Sequence, residues 1–189
     1  MSLLNEARTY RERGEYHLAL TCAQGAPEPA GRLEQARILI WLGRYEDARR
    51  LAQNGLLTLP DHPLALIVNS EAHVACGQPA EAVALARKAC DAAQDDPSLG
   101  GMAHIGMAHI ALASALHSNG QGEDAVATAQ QALTSLDSGR PYDRALASQT
   151  LAESFHVASN YAEAANAWRR TLDLRREILD HDHPEIAVT

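Results

Sequence analysis

The chain predicts an all-α fold of about five stacked helical hairpins, on three observations. A turn residue followed five positions on by alanine recurs down the sequence: Gly14 and Ala19, Gly43 and Ala48, Gly77 and Ala82, Gly120 and Ala125, Ser159 and Ala164. Ala and Leu dominate, only 4% of residues are aromatic, and almost no alternating β-branched stretch could build a strand. Gly43 and Gly77 lie 34 residues apart. Self-similarity at such a period means hairpins that bury their apolar faces on one another, not a single globular core.

The copies read LGRYEDARRLA from Leu42, CGQPAEAVALA from Cys76, NGQGEDAVATA from Asn119 and SNYAEAANAW from Ser159, with a weaker RGEYHLALTCA from Arg13. Each turn sits between a helix A and a helix B. In the second repeat helix A is expected over Pro29 to Leu42 and helix B over Tyr45 to Thr58, where Pro60 stops it. In the third, His62 to Cys76 precedes a helix B opened by Pro79, whose missing N–H costs nothing in a first turn. The fourth pairs Pro97 to Ser118 with Glu123 to Leu136, and the fifth Pro141 to Ala158 with Tyr161 to Leu179. The first repeat is short because Pro27 and Pro29 truncate its second helix. The expected organisation is one domain over 1–189, with repeats near 2–27, 29–60, 62–95, 97–138 and 141–180, and the start of a further helix A at 183–189.

Small residues recur at matched heights. Ala36, Ser70, Ala113 and Ala152 lie twelve positions before Ala48, Ala82, Ala125 and Ala164, and Gly55, Ala89, Ala132 and Thr171 follow seven positions later. Small side chains facing each other let paired helices approach to the short end of the usual ~8–10 Å. Leu39, Leu116, Phe155 and Trp168 then fill the seams.

Composition excludes several classes. The formal charge of −8, with acids and bases mixed along most helices, leaves no phosphate-binding face, so nucleic acid is not an expected partner. No stretch approaches the ~20 apolar residues of a membrane span, and the charged N-terminus is no signal peptide, so no membrane association is expected. Cys22, Cys76 and Cys90 are odd in number, form no C-x-x-C and sit among alanines, which fits a reducing cytoplasm. The Ala/Arg/Gly-rich composition points to a high-GC bacterial source.

The nine histidines invite a metal or catalytic reading. Asp180-His181-Asp182-His183 is the densest run of potential ligands, but consecutive residues rarely converge on one zinc ion, and a turn-forming His-Pro loop explains it. His104 and His109, in the duplication GMAHIGMAHI, are five residues apart and do not share a helix face as an H-E-x-x-H pair does. Gly101 and Gly106 in that stretch would each cost about 1 kcal/mol in a helix, so close helix contact is their expected purpose. No phosphate loop, dinucleotide loop or catalytic triad motif is present. The reading is therefore no enzyme, no cofactor, no metal and no catalytic residue. Arg169-Arg170 and Arg175-Arg176, interleaved with Asp173 and Glu177, read as a solvated, salt-bridged helix face.

The 34-residue period and the second repeat's Gly43, Tyr45, Ala48, Gly55 and Pro60 resemble the tetratricopeptide repeat family. The likeness runs strongly from Leu33 to Leu179 and weakly before it. The tail WRRTLDLRREILDHDHPEIAVT resembles the longer repeat variant of kinesin light chains, where a His-Pro loop leads into the next helix A. The resemblance implies a right-handed superhelix and a concave groove, lined by A helices, that holds a protein or peptide.

Carrying over the inward-facing positions gives Leu33, Arg37, Ile40 and Trp41 in the second repeat, and Ile67, Glu71 and Val74 in the third. The fourth gives Ile110, Ser114 and His117, and the fifth Gln149, Glu153 and His156. Arg37 and Trp41 are residue types enriched at binding hot spots. The alternative stays open that Trp41 packs on the first repeat while Arg37 pairs with Glu34 or Glu71. The carboxylate grip of co-chaperone arrays is missing, since the third and fourth A helices hold no Lys or Arg. Glu71 and Glu153 facing inward imply a partner segment with apolar and basic residues. No polar capping helix follows the fifth repeat, which implies a longer array or another subunit over this end. Self-association through apolar surface at Ile178, Leu179 and Ile186 is the second functional expectation, as a homo-oligomer.

Overall fold

The computed structural model describes residues 2–95, 101–179 and 183–189. Eleven helices follow one another in these segments: α1 (Leu3–Glu12), α2 (Tyr16–Gly25), α3 (Ala30–Trp41), α4 (Tyr45–Thr58), α5 (Pro63–Ala75), α6 (Pro79–Asp95), α7 (Gly101–Ser118), α8 (Gly122–Ser135), α9 (Pro141–Val157), α10 (Tyr161–Ile178) and the short α11 (Pro184–Val188). No strand occurs among the described residues. The expected boundaries agree with these to within one residue from α3 to α10. The exception is α7, whose expected start at Pro97 lies outside the described residues.

The five turns share one chemistry. Gly14, Gly43, Gly77 and Gly120 have φ between 71° and 78°, and Ser159 has φ 62°. A left-handed residue there reverses the chain and turns two N–H groups back onto the last carbonyls of helix A. Gly43 N–H donates to Ile40 O and Arg44 N–H to Leu39 O, at 3.0 and 2.9 Å. The same pair recurs at Gly77, Gly120 and Ser159, where Asn160 N–H reaches Phe155 O at 2.8 Å.

Alanine makes the core. Ala36, Ala48, Ala82, Ala113, Ala125 and Ala152 are all completely buried. Gly55 is there because a Cβ would stand 2.5 Å from Leu33 Cδ2, and a side chain on Gly106 would collide with Leu136. Where the small residue is polar, its hydroxyl is used across the seam: Ser70 Oγ donates to Ala82 O at 2.9 Å, and Thr171 Oγ1 to Ser148 Oγ at 3.0 Å. Leu39 and Leu116 are buried as expected.

The superhelix turns far enough that its first and fifth repeats meet. Arg140, at the start of α9, donates to Glu12 Oε1 at the end of α1 across 2.9 Å, joining residues 128 positions apart. Arg175 departs from the expected solvated face. It is buried, pairs with Glu185 at 3.0 Å and donates to the Glu185 carbonyl, because α11 folds back over this part of α10.

Candidate functional site

The A helices α1, α3, α5, α7 and α9 bound a concave cavity of about 690 Å³. Each contributes at helical spacing: Arg37, Ile40 and Trp41 from α3, Glu71, Val74 and Ala75 from α5, Met107, Ile110, Ala111 and Ser114 from α7, and Leu146, Gln149, Thr150 and Glu153 from α9. Steps of three and four keep each set on one face, so the A helices line the groove while the B helices hold them in place and contribute Tyr45, at the start of α4.

Nine of the expected groove residues line this cavity: Arg37, Ile40, Trp41, Glu71, Val74, Ile110, Ser114, Gln149 and Glu153. Four do not. Leu33 and Ile67 are core residues, 1% and 0% exposed, because both pack into the clusters between helices and not onto the groove face. His156 is exposed beyond the C-terminal rim, edge-on to Tyr161 with ring centroids 5.6 Å apart. His117 stands behind the wall, its Nε2 3.7 Å from Glu153 Oε2.

Both open alternatives for Arg37 and Trp41 resolve toward intramolecular contacts. Arg37 makes a two-pronged pair with Glu71, at 2.8 and 2.7 Å, and Trp41 stacks on Tyr16 of the first repeat at 5.8 Å and 7°. Trp41 nevertheless keeps 45% of its surface open, as does its neighbour Tyr45. Burial opposes the Arg37 charge, yet the Glu71 carboxylate overrides it and pushes the guanidinium pKa up. Deeper in the wall Arg11 Nε donates to Glu34 Oε1 at 2.6 Å. Burial alone would raise the Glu34 carboxyl, but Arg11, Arg37 and Arg8 around it hold it below its ordinary value.

A chain of polar contacts runs round the C-terminal wall. Tyr142 OH donates to Glu185 Oε1 at 2.7 Å, Glu185 pairs with Arg175, Arg175 donates to Gln149 Oε1, and Gln149 donates to Glu153 Oε1 at 2.8 Å. Burial pushes the Tyr142 phenol pKa well up and Glu185 adds to it, so Tyr142 acts as a neutral donor.

Two histidines act as helix caps. His183 Nδ1 accepts from Glu185 N–H at 3.1 Å and His62 Nδ1 from Leu64 N–H at 3.2 Å, so two Asp-His-Pro sequences cap two A helices. Asp180, His181 and Asp182 lie outside the described residues. Among the described residues no group of three or more His, Cys, Asp or Glu is arranged to hold a metal ion, and no helix is long and apolar enough to cross a membrane.

The repeat geometry agrees with sequence comparison. The tetratricopeptide repeat family matches residues 150–185, and again 63–88 and 106–131. The chain carries tetratricopeptide repeats at these positions. Among solved structures, the tetratricopeptide array is similar to TTC0263, a thermophilic TPR protein of Thermus thermophilus. The TM-score is 0.69 at 20% identity, over 93% of this chain and 91% of that one. It is similar also to the nearly identical TPR-like repeats of a Podosopora anserina protein described as a putative kinesin light chain, with TM-score 0.58 at 20% identity over 93% and 94%. A Rap protein complexed with competence and sporulation factor superposes with TM-score 0.73 at 12% identity, over 93% of this chain and 53% of that one. No curated protein matches the sequence.

Part of the groove of this tetratricopeptide array escaped the sequence. Arg8 and Arg11 come from α1, in the repeat whose match is weakest, and Tyr142, Asp143 and Arg140 come from the start of α9, two turns before the positions carried over. The signal for α1 was present: Arg8 and Arg11 are three residues apart and so share one face of α1. Nothing local announces that α9 meets α1.

Proposed function

We propose that the array is a protein-interaction module that takes a partner peptide or helix in its concave groove, as a scaffold or as the sensing part of a regulator. The observation that carries this reading is an apolar floor, including Ile40, Leu64, Val74 and Met107, beneath two half-exposed aromatics at the rim, Trp41 and Tyr45. A cavity of about 690 Å³ is within the usual ~300–1,000 Å³ of ligand sites. Exposed aromatics beside a concave apolar surface supply contact area at little conformational cost, which is what binding anchors need. The superposable Rap protein, solved with competence and sporulation factor, supports the reading by fold alone.

Arg37 and Glu71 serve this groove as a built-in strut, and Trp41 is the anchor that remains. The test is affinity capture from the source organism with three baits: wild type, Trp41→Ala/Tyr45→Ala, and the control Leu57→Ala, whose side chain is 82% exposed and lines no part of the groove. A partner held by wild type and control and lost by the aromatic variant supports groove binding. A partner held equally by all three overturns it.

A further inference from the structure

The ionic groups of the groove do not cancel evenly. On the α1–α3–α5 wall three guanidiniums, Arg8, Arg11 and Arg37, meet two carboxylates, Glu34 and Glu71. Arg11 and Arg37 are engaged at 2.6 and 2.7 Å. Arg8 stands 3.8 Å from a Glu34 that Arg11 already holds, and its side chain is 39% exposed. That wall carries one positive charge in excess.

The α7–α9 wall is the opposite. The Glu153 side chain is 32% exposed, accepts from the Gln149 amide at 2.8 Å, and has no Lys or Arg within salt-bridge reach among the described residues. His117 stands 3.7 Å from it, and burial holds that ring below the ordinary histidine value although Glu153 pulls the other way, so the ring is neutral near pH 7. That wall carries one negative charge in excess. Arg140, also at the groove, is matched by Asp143 at 2.9 Å, and the further carboxylate it holds, Glu12, lies outside the groove lining. The apolar floor between the two walls is partly desolvated, where an unmatched charge acts more strongly than on open surface.

We infer that the groove is polarised: it takes a peptide segment that presents an acidic side chain to Arg8 and a basic side chain to Glu153, with apolar side chains on the floor between them. This rests on the groove-binding reading above and narrows it. A uniformly basic segment gains at Glu153 and loses at Arg8, and a segment laid in reverse loses at both. Charge therefore sets the direction of the bound chain as well as its composition. The basic partner expected from Glu71 and Glu153 together is revised accordingly, because Arg37 neutralises Glu71 inside the protein.

The test is display selection of a capped, fully randomised octapeptide library on the purified protein and on three variants: Arg8→Gln, Glu153→Gln and Arg8→Glu/Glu153→Lys. Both side chains are partly exposed, and circular dichroism confirms that each variant is folded. Wild type is expected to enrich peptides with an acid on one side of an apolar stretch and a base on the other, in one order about tenfold over the reverse. Arg8→Gln should relax only the acidic position and Glu153→Gln only the basic one. The double reversal should enrich the opposite order. Enriched apolar peptides with no charge order, or an order unchanged by the reversal, overturn the polarity while leaving groove binding in place. Failure to enrich any sequence on folded wild-type protein overturns the groove-binding reading and the polarity with it.

Discussion

Arg37 and Glu71 stand 34 residues apart, one repeat period, and their side chains meet in a two-pronged ion pair at 2.8 and 2.7 Å. The repeat thus places two unlike residues at neighbouring heights on adjacent A helices and lets them staple one repeat to the next. Their side chains are 14% and 27% exposed, so the pair is only partly screened by water. Removing either partner leaves a partly buried charge alone. Arg37→Ala or Glu71→Ala is expected to lower stability by about 1–3 kcal/mol, and the double variant by less than the sum of the two. Urea unfolding of the four proteins in a double-mutant cycle measures this.

Among the described residues Ser159 is the one non-glycine residue at a left-handed turn, with φ 62° where the other four turns use Gly. A Cβ in that conformation costs about 1–2 kcal/mol, partly offset by the greater freedom a glycine has in the unfolded chain. Ser159→Gly is expected to raise the melting temperature. Gly77→Ala, at φ 71°, should lower it by a comparable amount. Calorimetry of both decides the matter, and opposite signs are required.

Gly106 lies against Leu136, which is fully buried, and an added methyl would collide with it. Alanine gains about 1 kcal/mol of helix propensity over glycine, while overpacking a filled core costs about 1–3 kcal/mol. Gly106→Ala is expected to be neutral to destabilising despite the better helix former. Gly106→Leu should unfold this hairpin outright, read as lost helicity by circular dichroism.

His109 is half-buried, with no hydrogen-bond partner for its Nδ1, and burial holds its pKa below the ordinary 6.5. In the window between the lowered folded value and 6.5 the unfolded chain binds more protons than the folded one. Stability therefore rises with pH across that window and is lost as pH falls through it. His62 and His117 shift the same way and add to the slope. His109→Gln should flatten the dependence measured by urea titration between pH 7 and 5 without reversing it.

The Glu12–Arg140 contact closes the superhelix at its open edge, where the Arg140 side chain is 59% exposed. An exposed pair is worth less than about 1 kcal/mol, so Glu12→Gln should barely change stability. It should instead widen the array, seen as a larger radius of gyration in small-angle scattering. High salt should widen wild type and leave the variant unchanged.

The sequence by itself determined the hairpins, because the information is local and periodic. A left-handed turn admits only a few residues, so Gly14, Gly43, Gly77 and Gly120 mark four of the five reversals and alanine five positions on finds the fifth at Ser159. Close helix contact demands small side chains, so Ala48, Ala82 and Ala125 mark the seams they fill. Most of the groove followed from the same period, since helical spacing sends Ile40, Val74, Ile110 and Glu153 to one face. Only the tertiary structure decided the rest. Whether Arg37 waits for a partner or holds Glu71 depends on the distance between helices a full repeat apart. Whether Arg8 shares a groove with Glu153 depends on small rotations accumulated over four successive hairpins. A period specifies each step, and the sum of those steps brings α1 to α9 through packing that no single repeat encodes.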